Sequence, residues 1–392
     1  MLELVKEIIS RFGGRPAGSK QEIAAQHFIK SKLEEYCTDV KTQPFKAALT
    51  GHFHSLKIFC VVFYASLLLY WVSIPLATIV AVINVVLFVG HFVTYRDWLD
   101  RFYPKQESLN VIGTLEPLGE VKSTVMIAGH SDCVIEFQWF YRLKHFAAIL
   151  AFVSGFLFPL LAVFYVILWV FSINIPAHET DVADYVWVLF VILTPATLTY
   201  YTMHGEKPVD GAIDNLSAEA IMIETGRAFA NKNVKGKSTL QHTRLKLISF
   251  GCEEAGLKGS QAYAKEFKEQ ILKEKGILLN VDSIKEKKEL RILKGEVNTL
   301  IKFPKELVSK LEDAFRECNI PVKTLNLPMG ATDATAFAMH KLPAVSIIGM
   351  NTDRLDPSYH TRLDTADYLE EEGMEAVKTV LLHFIEQWDR EH

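Results

Sequence analysis

A set of imidazole and carboxylate side chains stands at the ends of strand-like runs in this sequence of 392 residues. His130 and Asp132 follow one short apolar run, Glu253 and Glu254 follow another, and Asp282 closes a third. Asp214 lies in Gly211-Ala-Ile-Asp-Asn215 at the start of a helical stretch, and His360 lies in a loop opened by Pro357. These are ligand types that zinc takes and groups that move protons near neutral pH. Open α/β sheets bind ligands beyond the carboxyl ends of their strands, so this placement would gather the set at one sheet edge. Singly, each has a structural reading: Asp214 as a helix N-cap, Glu253 and Glu254 as a solvated acidic pair, His360 as a surface histidine. Their weight lies in the set. His27, His242 and His340 fit helix or strand surfaces better than a metal site.

The elements that must hold these groups alternate along the chain. Leu109–Leu115, Thr124–Ala128, Leu245–Phe250, Ile277–Val281 and Ala344–Ile348 are short, apolar and rich in β-branched residues, and predict strands; an earlier one falls near Val40–Phe45. Helical periodicity covers Gln21–Tyr36, Leu216–Ala230, Gly259–Leu272, Lys305–Cys318 and Glu370–Trp388. The alternation predicts an α/β fold. Met1–Phe12 reads as an amphipathic helix and not as a signal peptide.

In six ordered segments the chain resembles the two-zinc aminopeptidase and glutamate carboxypeptidase-like metallopeptidases. These are GHSD (Gly129–Asp132), GAIDN (Gly211–Asn215), CEEAGLKGS (Cys252–Ser260), NVDS (Asn280–Ser283), TDATAFAMHKLPA (Thr332–Ala344) and YHTRLDT (Tyr359–Thr365). The opening GGRPAGSKQEIAAQHFIKSKL, Gly13–Leu33, looks like the family's first helix and its approach. The resemblance implies a mixed central sheet flanked by helices. It makes Asp214 a carboxylate bridging two zinc ions, with His130 and Asp282 completing one site and Glu254 and His360 the other. Asp132 would orient the His130 ring and Glu253 would be the general base, while Tyr359 could donate to the oxyanion. A charge count agrees: two zinc ions are balanced by Asp214, Glu254, Asp282 and a bridging hydroxide. Ala218 stands where the family often has glycine, which should affect helix packing more than chemistry.

Two apolar runs interrupt this pattern. No Asp, Glu, Lys or Arg occurs between Lys57 and Arg96, or from His145 to His178. A bilayer crossing needs about 20 apolar residues, so the first run fits two helices turning at Pro75. The second pair runs from Phe146 to about Phe171, turns through Asn174, Pro176, Glu179 and Asp181, and returns from Tyr185 to about Met203. Four transmembrane helices in two hairpins, 56–96 and 144–205, are thus expected as insertions in one discontinuous domain made of 1–55, 97–143 and 206–392. Both hairpins would clamp that domain to the membrane, the second beside the zinc centre. Lys57, Arg96, Arg101, Lys105, Arg142, Lys144 and Lys207 flank the polar side, and the opposite tips carry no Lys or Arg. By the positive-inside rule the polar domain of this multi-pass integral membrane protein faces the cytoplasm. Five scattered cysteines read as free thiols in a reducing compartment.

With 42 basic against 46 acidic residues and no polybasic tract, nucleic acid is not an expected partner. The expected activity is hydrolysis of peptide bonds, most naturally by an aminopeptidase, and exposed membrane helix faces are compatible with a homodimer. Three alternatives stand beside it. An inactive scaffold serving as a receptor or interaction protein should have lost ligands, and this chain keeps every matched position. Glutaminyl cyclisation on the same metal fold is less favoured by the paired Glu253 and Glu254. A transporter would be marked by ionisable residues inside the spans.

Overall fold

The computed structural model of the chain describes residues 1–172, 182–351 and 354–392. It divides into two compact units, one made of Met1–Leu49, Lys105–Glu136 and Glu206–His392, the other of Thr50–Pro104 and Phe137–Gly205.

The first unit is built on a mixed sheet. Its strands are β1 (Asp39–Ala47), β2 (Gln106–Leu115), β3 (Ser123–His130), β4 (Thr243–Phe250), β5 (Gly276–Ile284), β6 (Arg291–Glu296), β7 (Ile301–Lys302), β8 (Lys323–Leu327) and β9 (Ala344–Gly349). They lie in the order β1-β2-β4-β3-β5-β9-β6-β8, with β7 beside β6. The central four, β4, β3, β5 and β9, are parallel to one another. Every residue of β3 and β5 is buried, as expected where helices cover both faces of parallel strands. Helices Leu2–Phe12, Lys20–Glu34, Ser217–Phe229, Lys305–Glu317 and Glu371–Glu391 pack on one another, and Lys258–Glu266 packs on Asp333–Met339.

Each expected strand lies within an observed one, and the expected α/β class holds. The stretch Gly259–Leu272 is two helices, Lys258–Glu266 and Lys268–Lys273, interrupted at Phe267. The strands β6 and β8 were not expected. Arg291 and Lys294 in β6, and Lys323 and Asn326 in the edge strand β8, interrupt the apolar pattern.

Ala218 meets its neighbour closely. A Cβ built on Gly129 would stand 2.7 Å from the Ala218 Cβ, so the glycine of the first motif makes room for the alanine.

Among the described residues of the second unit, four helices are long and apolar enough to cross a membrane: Gly51–Leu69, Ile74–Val93, His145–Phe171 and Val182–Tyr201. The first starts before Lys57, which therefore lies on the helix with its side chain exposed. Pro75 falls in the first turn of the second helix, where its missing N–H costs nothing, and the turn itself precedes it. The expected turn through Asn174, Pro176, Glu179 and Asp181 lies outside the described residues. Asp184 falls in the first turn of the last helix, a position where the helix dipole favours negative charge, and accepts from Tyr70 Oη at 2.6 Å. Phe59, Phe63, Phe88, Phe158 and Tyr165 fill the interior, while Ile58, Ile83, Phe156 and Leu160 are exposed. Exposed apolar side chains on such helices suit a lipid surround.

Candidate active site

His130 is the last residue of β3, Asp282 lies near the end of β5, and Glu253 and Glu254 follow β4 after a short turn. The parallel register of these strands brings their carboxyl ends together, as the strand-end argument requires. Asp214 comes from the turn leading into helix Ser217–Phe229, and His360 from the loop after β9. The six side chains form two groups, His130 with Glu253 and Asp282, and Asp214 with Glu254 and His360, each with its candidate ligand atoms within 4.8 Å of one another.

Asp214 stands between the two histidines. Its Oδ1 is 3.2 Å from His130 Nε2 and its Oδ2 is 3.4 Å from His360 Nε2. Glu254 Oε1 is 3.5 Å from His360 Nε2, and Glu253 Oε2 is 3.8 Å from His130 Nε2. Asp132 Oδ1 lies 3.4 Å from His130 Nδ1. The two Asp132 oxygens also accept from the backbone N–H groups of Glu253 and Glu254, each at 3.0 Å. One buried carboxylate thus faces both an imidazole and the loop of the paired glutamates. The Tyr359 ring stacks on that of His360 at 3.8 Å between centres.

The electrostatics are those of crowded, buried negative charge. Burial raises Asp282 to about 7, with the Asp214 charge adding to it. Burial also holds Glu253 and Glu254 well above the usual carboxylate range, aided at Glu254 by Asp214 and Glu253. At His130 burial opposes protonation, but Glu253, Asp132 and Asp214 outweigh it and push the imidazole well above its ordinary value. Glu254 Oε1 is buried and accepts no hydrogen bond among the described residues. Four carboxylates and two imidazoles that converge in this way fit divalent cations, whose charge removes the mutual repulsion. The donors, nitrogen and carboxylate oxygen, suit zinc.

Further residues hold this set in place, most of them inside the motifs or the opening segment. Arg15 is fully buried and donates to Ser131 O at 2.8 Å, Gly13 O at 2.6 Å and Gly211 O at 3.3 Å, tying the segment after His130 to the approach to Asp214. Gly211 has φ +60°, and a Cβ there would meet Arg15 Nη2 at 2.9 Å and Cys133 Cβ at 2.7 Å. Asp364 accepts from Ile213 N at 2.6 Å and Asp214 N at 3.3 Å. Asn215 and Ser217 fix the same turn to β5: Asn215 Nδ2 donates to Val281 O at 3.1 Å, and Ser217 Oγ accepts from Ile284 N at 3.1 Å. Arg362 grips the buried Glu136 through Nε at 2.8 Å and Nη2 at 2.7 Å, which anchors the loop carrying His360.

Glu22, on helix Lys20–Glu34, accepts from Cys252 N at 2.7 Å and from Gly18 N at 2.6 Å. Three consecutive N–H groups, those of Cys252, Glu253 and Glu254, are therefore held by two buried carboxylates, Glu22 and Asp132. Ser19 accepts from Glu22 N at 3.1 Å. Ser19-x-x-Glu22 is thus a capping-box spacing, a sequence signal that locates Glu22 but not its second task.

Residues 197–385 match a family described as Peptidase family M28. A protein named "Probable leucine aminopeptidase 1" from Trichophyton verrucosum is 30% identical over 195 residues, which is 47% of this chain and 49% of the relative. The chain thus aligns with about half the length of that relative. Among solved structures, a zinc aminopeptidase from Bacillus subtilis superposes with a TM-score of 0.58 at 14% identity, covering 99% of this chain and 94% of the other. A glutaminyl cyclase from an Acidobacteriales bacterium superposes with a TM-score of 0.56 at 15% identity, covering 100% and 94%. At these identities the two structures establish the mixed, helix-flanked sheet and nothing finer. With the motifs in order, a sequence match over the part that carries most of them and the shared fold, this chain is similar to Peptidase family M28 and to the aminopeptidase-like metallopeptidases.

Proposed function

We propose that the chain is a membrane-held, zinc-dependent aminopeptidase that removes residues from the free amino end of peptides. The observation that carries this reading is the convergence of two imidazoles and four carboxylates at the strand ends of an M28 fold. His130, Asp282, Glu254 and His360 would hold two zinc ions, with Asp214 shared between them. Bound there, the metal would supply Lewis acidity, lowering the pKa of a water and polarising the scissile carbonyl.

The chain's own groups supply the proton chemistry. Glu253 removes the proton of the attacking water and passes it to the leaving amine, a role worth about 10²–10⁴-fold. Asp132 keeps the His130 ring oriented and fixes the backbone from which Glu253 projects. Tyr359, stacked on His360, offers a phenol to the developing oxyanion. Arg15, Glu22 and Asp364 keep the carriers in register through backbone contacts.

The four long apolar helices support a multi-pass membrane protein, and the basic flanks support a cytoplasmic α/β unit. Peptides and the lipid bilayer are then its partners. Glutaminyl cyclisation is the competing chemistry, supported by the shared fold of a glutaminyl cyclase. A peptide library that includes N-terminal glutamine separates the two, with Glu253→Gln as control. Stepwise shortening from the amino end, lost in the variant, supports the aminopeptidase; loss of ammonia without shortening would identify a cyclase. No turnover of any peptide by zinc-loaded protein would sink both.

A further inference from the structure

Five cations at one end of the helical unit, Lys57, Arg96, Arg101, Arg142 and Lys144, are all exposed, and none makes an ion pair among the described residues. Contacts within the unit place their segments together. The Phe53 ring, one turn before Lys57, meets Phe92 at 6.1 Å, Phe137 at 5.4 Å and His204 at 4.7 Å. Trp139 Nε1 donates to Thr202 Oγ1 at 2.9 Å, and Gly90 packs so tightly on the Trp98 ring that a Cβ would not fit. Three of the cations lie against rings: Arg101 Cζ is 4.9 Å from the centre of Phe102, Arg142 Cζ 5.8 Å from Trp139, and Lys57 Nζ 6.0 Å from Tyr201. Trp98, Phe102, Tyr141 and Tyr201 are exposed beside them.

Charge does not balance within this collar. Five cations against Asp97 and Asp100 leave three positive charges in excess. The far ends of the helices, from Tyr70 to Ser73 and from Val182 to Tyr185, contain no Lys or Arg. In the α/β unit, by contrast, Arg227, Arg244, Lys285, Arg291 and Arg362 each hold a carboxylate. A single unpaired surface cation means little. Five of them set among exposed aromatic rings at one end of apolar helices match the depth at which phosphates meet such rings in a bilayer.

We propose that this collar binds the headgroups of anionic phospholipids in preference to zwitterionic ones. Guanidinium and ammonium groups donate to the phosphodiester oxygens, and the rings lie at the level of the glycerol backbone. A zwitterionic headgroup brings its own cation, which the excess positive charge repels. The inference rests on the membrane reading above, and the test separates the two.

Full-length protein is reconstituted into vesicles of phosphatidylcholine mixed with phosphatidylglycerol, with one lipid or the other brominated on its acyl chains, and quenching of tryptophan fluorescence is compared. Wild type should show phosphatidylglycerol enriched about threefold or more around the protein, falling toward parity as salt screens the charges. Replacing all five cations with Gln should abolish the enrichment, and Arg96→Lys, Arg101→Lys and Arg142→Lys together should keep it. If the fivefold variant does not insert, the pair Lys57→Gln and Lys144→Gln provides the same comparison with a partial loss expected. Equal quenching by both lipids in wild type, or enrichment unchanged in the Gln variants, would overturn the proposal. Protein that floats with neither vesicle and is quenched by neither lipid would overturn the membrane reading itself.

Discussion

The two units bury polar groups in opposite ways. In the α/β unit the buried set includes Arg15, Glu22, Asp132, Glu136, Asp214, Glu253, Asp282, Glu296, Asp333 and Asp364, and most of the carboxylates described accept hydrogen bonds from loop N–H groups. In the helical unit no Asp, Glu, Lys or Arg among the described residues is buried. There many of the buried polar side chains are donors aimed at backbone carbonyls: Asn84 Nδ2 to Phe59 O at 3.1 Å, Tyr165 Oη to Ser66 O at 2.9 Å, Thr78 Oγ1 to Tyr165 O at 3.1 Å and Ser154 Oγ to Ala196 O at 2.6 Å. The difference follows from the backbone. A continuous helix spends its N–H groups internally and leaves only carbonyl lone pairs to share, so neutral donors can serve it. Loops at strand ends leave N–H groups open, and an anion can be held there without water. Chemistry that needs buried charge therefore belongs in the first unit.

The contrast is most severely tested by removing metal. A strong chelator should abolish peptide hydrolysis and zinc should restore it, while the helical signal of the apolar unit in far-ultraviolet circular dichroism stays unchanged. Collapse of both signals together would contradict the separation. Glu253→Gln should lower kcat by about 10²–10⁴-fold with zinc content preserved. A parallel loss of metal would make Glu253 a ligand instead of a base.

Arg15→Met leaves buried carbonyls without their donor, and should cost about 2–4 kcal/mol in urea unfolding of the soluble-type unit together with weakened zinc retention. Asn84→Ala, the matching loss in the helical unit, should cost only about 0.6–1.7 kcal/mol, read from unfolding in mixed micelles. A larger cost for Asn84 than for Arg15 would reverse the comparison.

The smallest effect expected is a pH dependence. Asp389 is partly desolvated, which raises its pKa, but the N–H groups of Gln241, His242 and Thr243 outweigh this and hold it below the ordinary value. A depressed carboxyl contributes stability above its unfolded pKa and loses it as pH falls through the folded one. Asp389→Asn should flatten the acid limb of the melting curve below about pH 4 and leave neutral pH little changed apart from the lost charge.

Much of this was legible in the sequence because the reacting groups sit in short segments whose types and order admit few other uses. The strands that carry His130 and Asp282 were plain for the same reason: parallel central strands read as unbroken apolar runs. Arg15, Glu22 and Asp364 lay in quoted segments too, yet their tasks were hidden. Each acts on backbone N–H or C=O groups far along the chain, and a backbone group has the same appearance in every sequence. The edge strand at Lys323 was missed because an edge strand needs no apolar alternation on its outer side, and the buried strand at Arg291 because Arg291, Lys294 and Glu296 break up its apolar run. The collar cations were visible as charges, but that they lack carboxylate partners is a property of the fold.

Each interruption of the α/β unit consists of a pair of long apolar helices. Parity then has a consequence for how the chain is made. If each helix of a pair crosses the bilayer, the chain re-emerges on the side it left, whichever side that is. The segment with Arg15 and Glu22, the segment with His130 and Asp132, and the long remainder with Asp214 through His360, which form one unit, would then all reach one compartment. A splice or deletion that removed a single helix would strand these pieces on opposite faces. The coding sequence for the hairpins should therefore tolerate loss only in whole pairs.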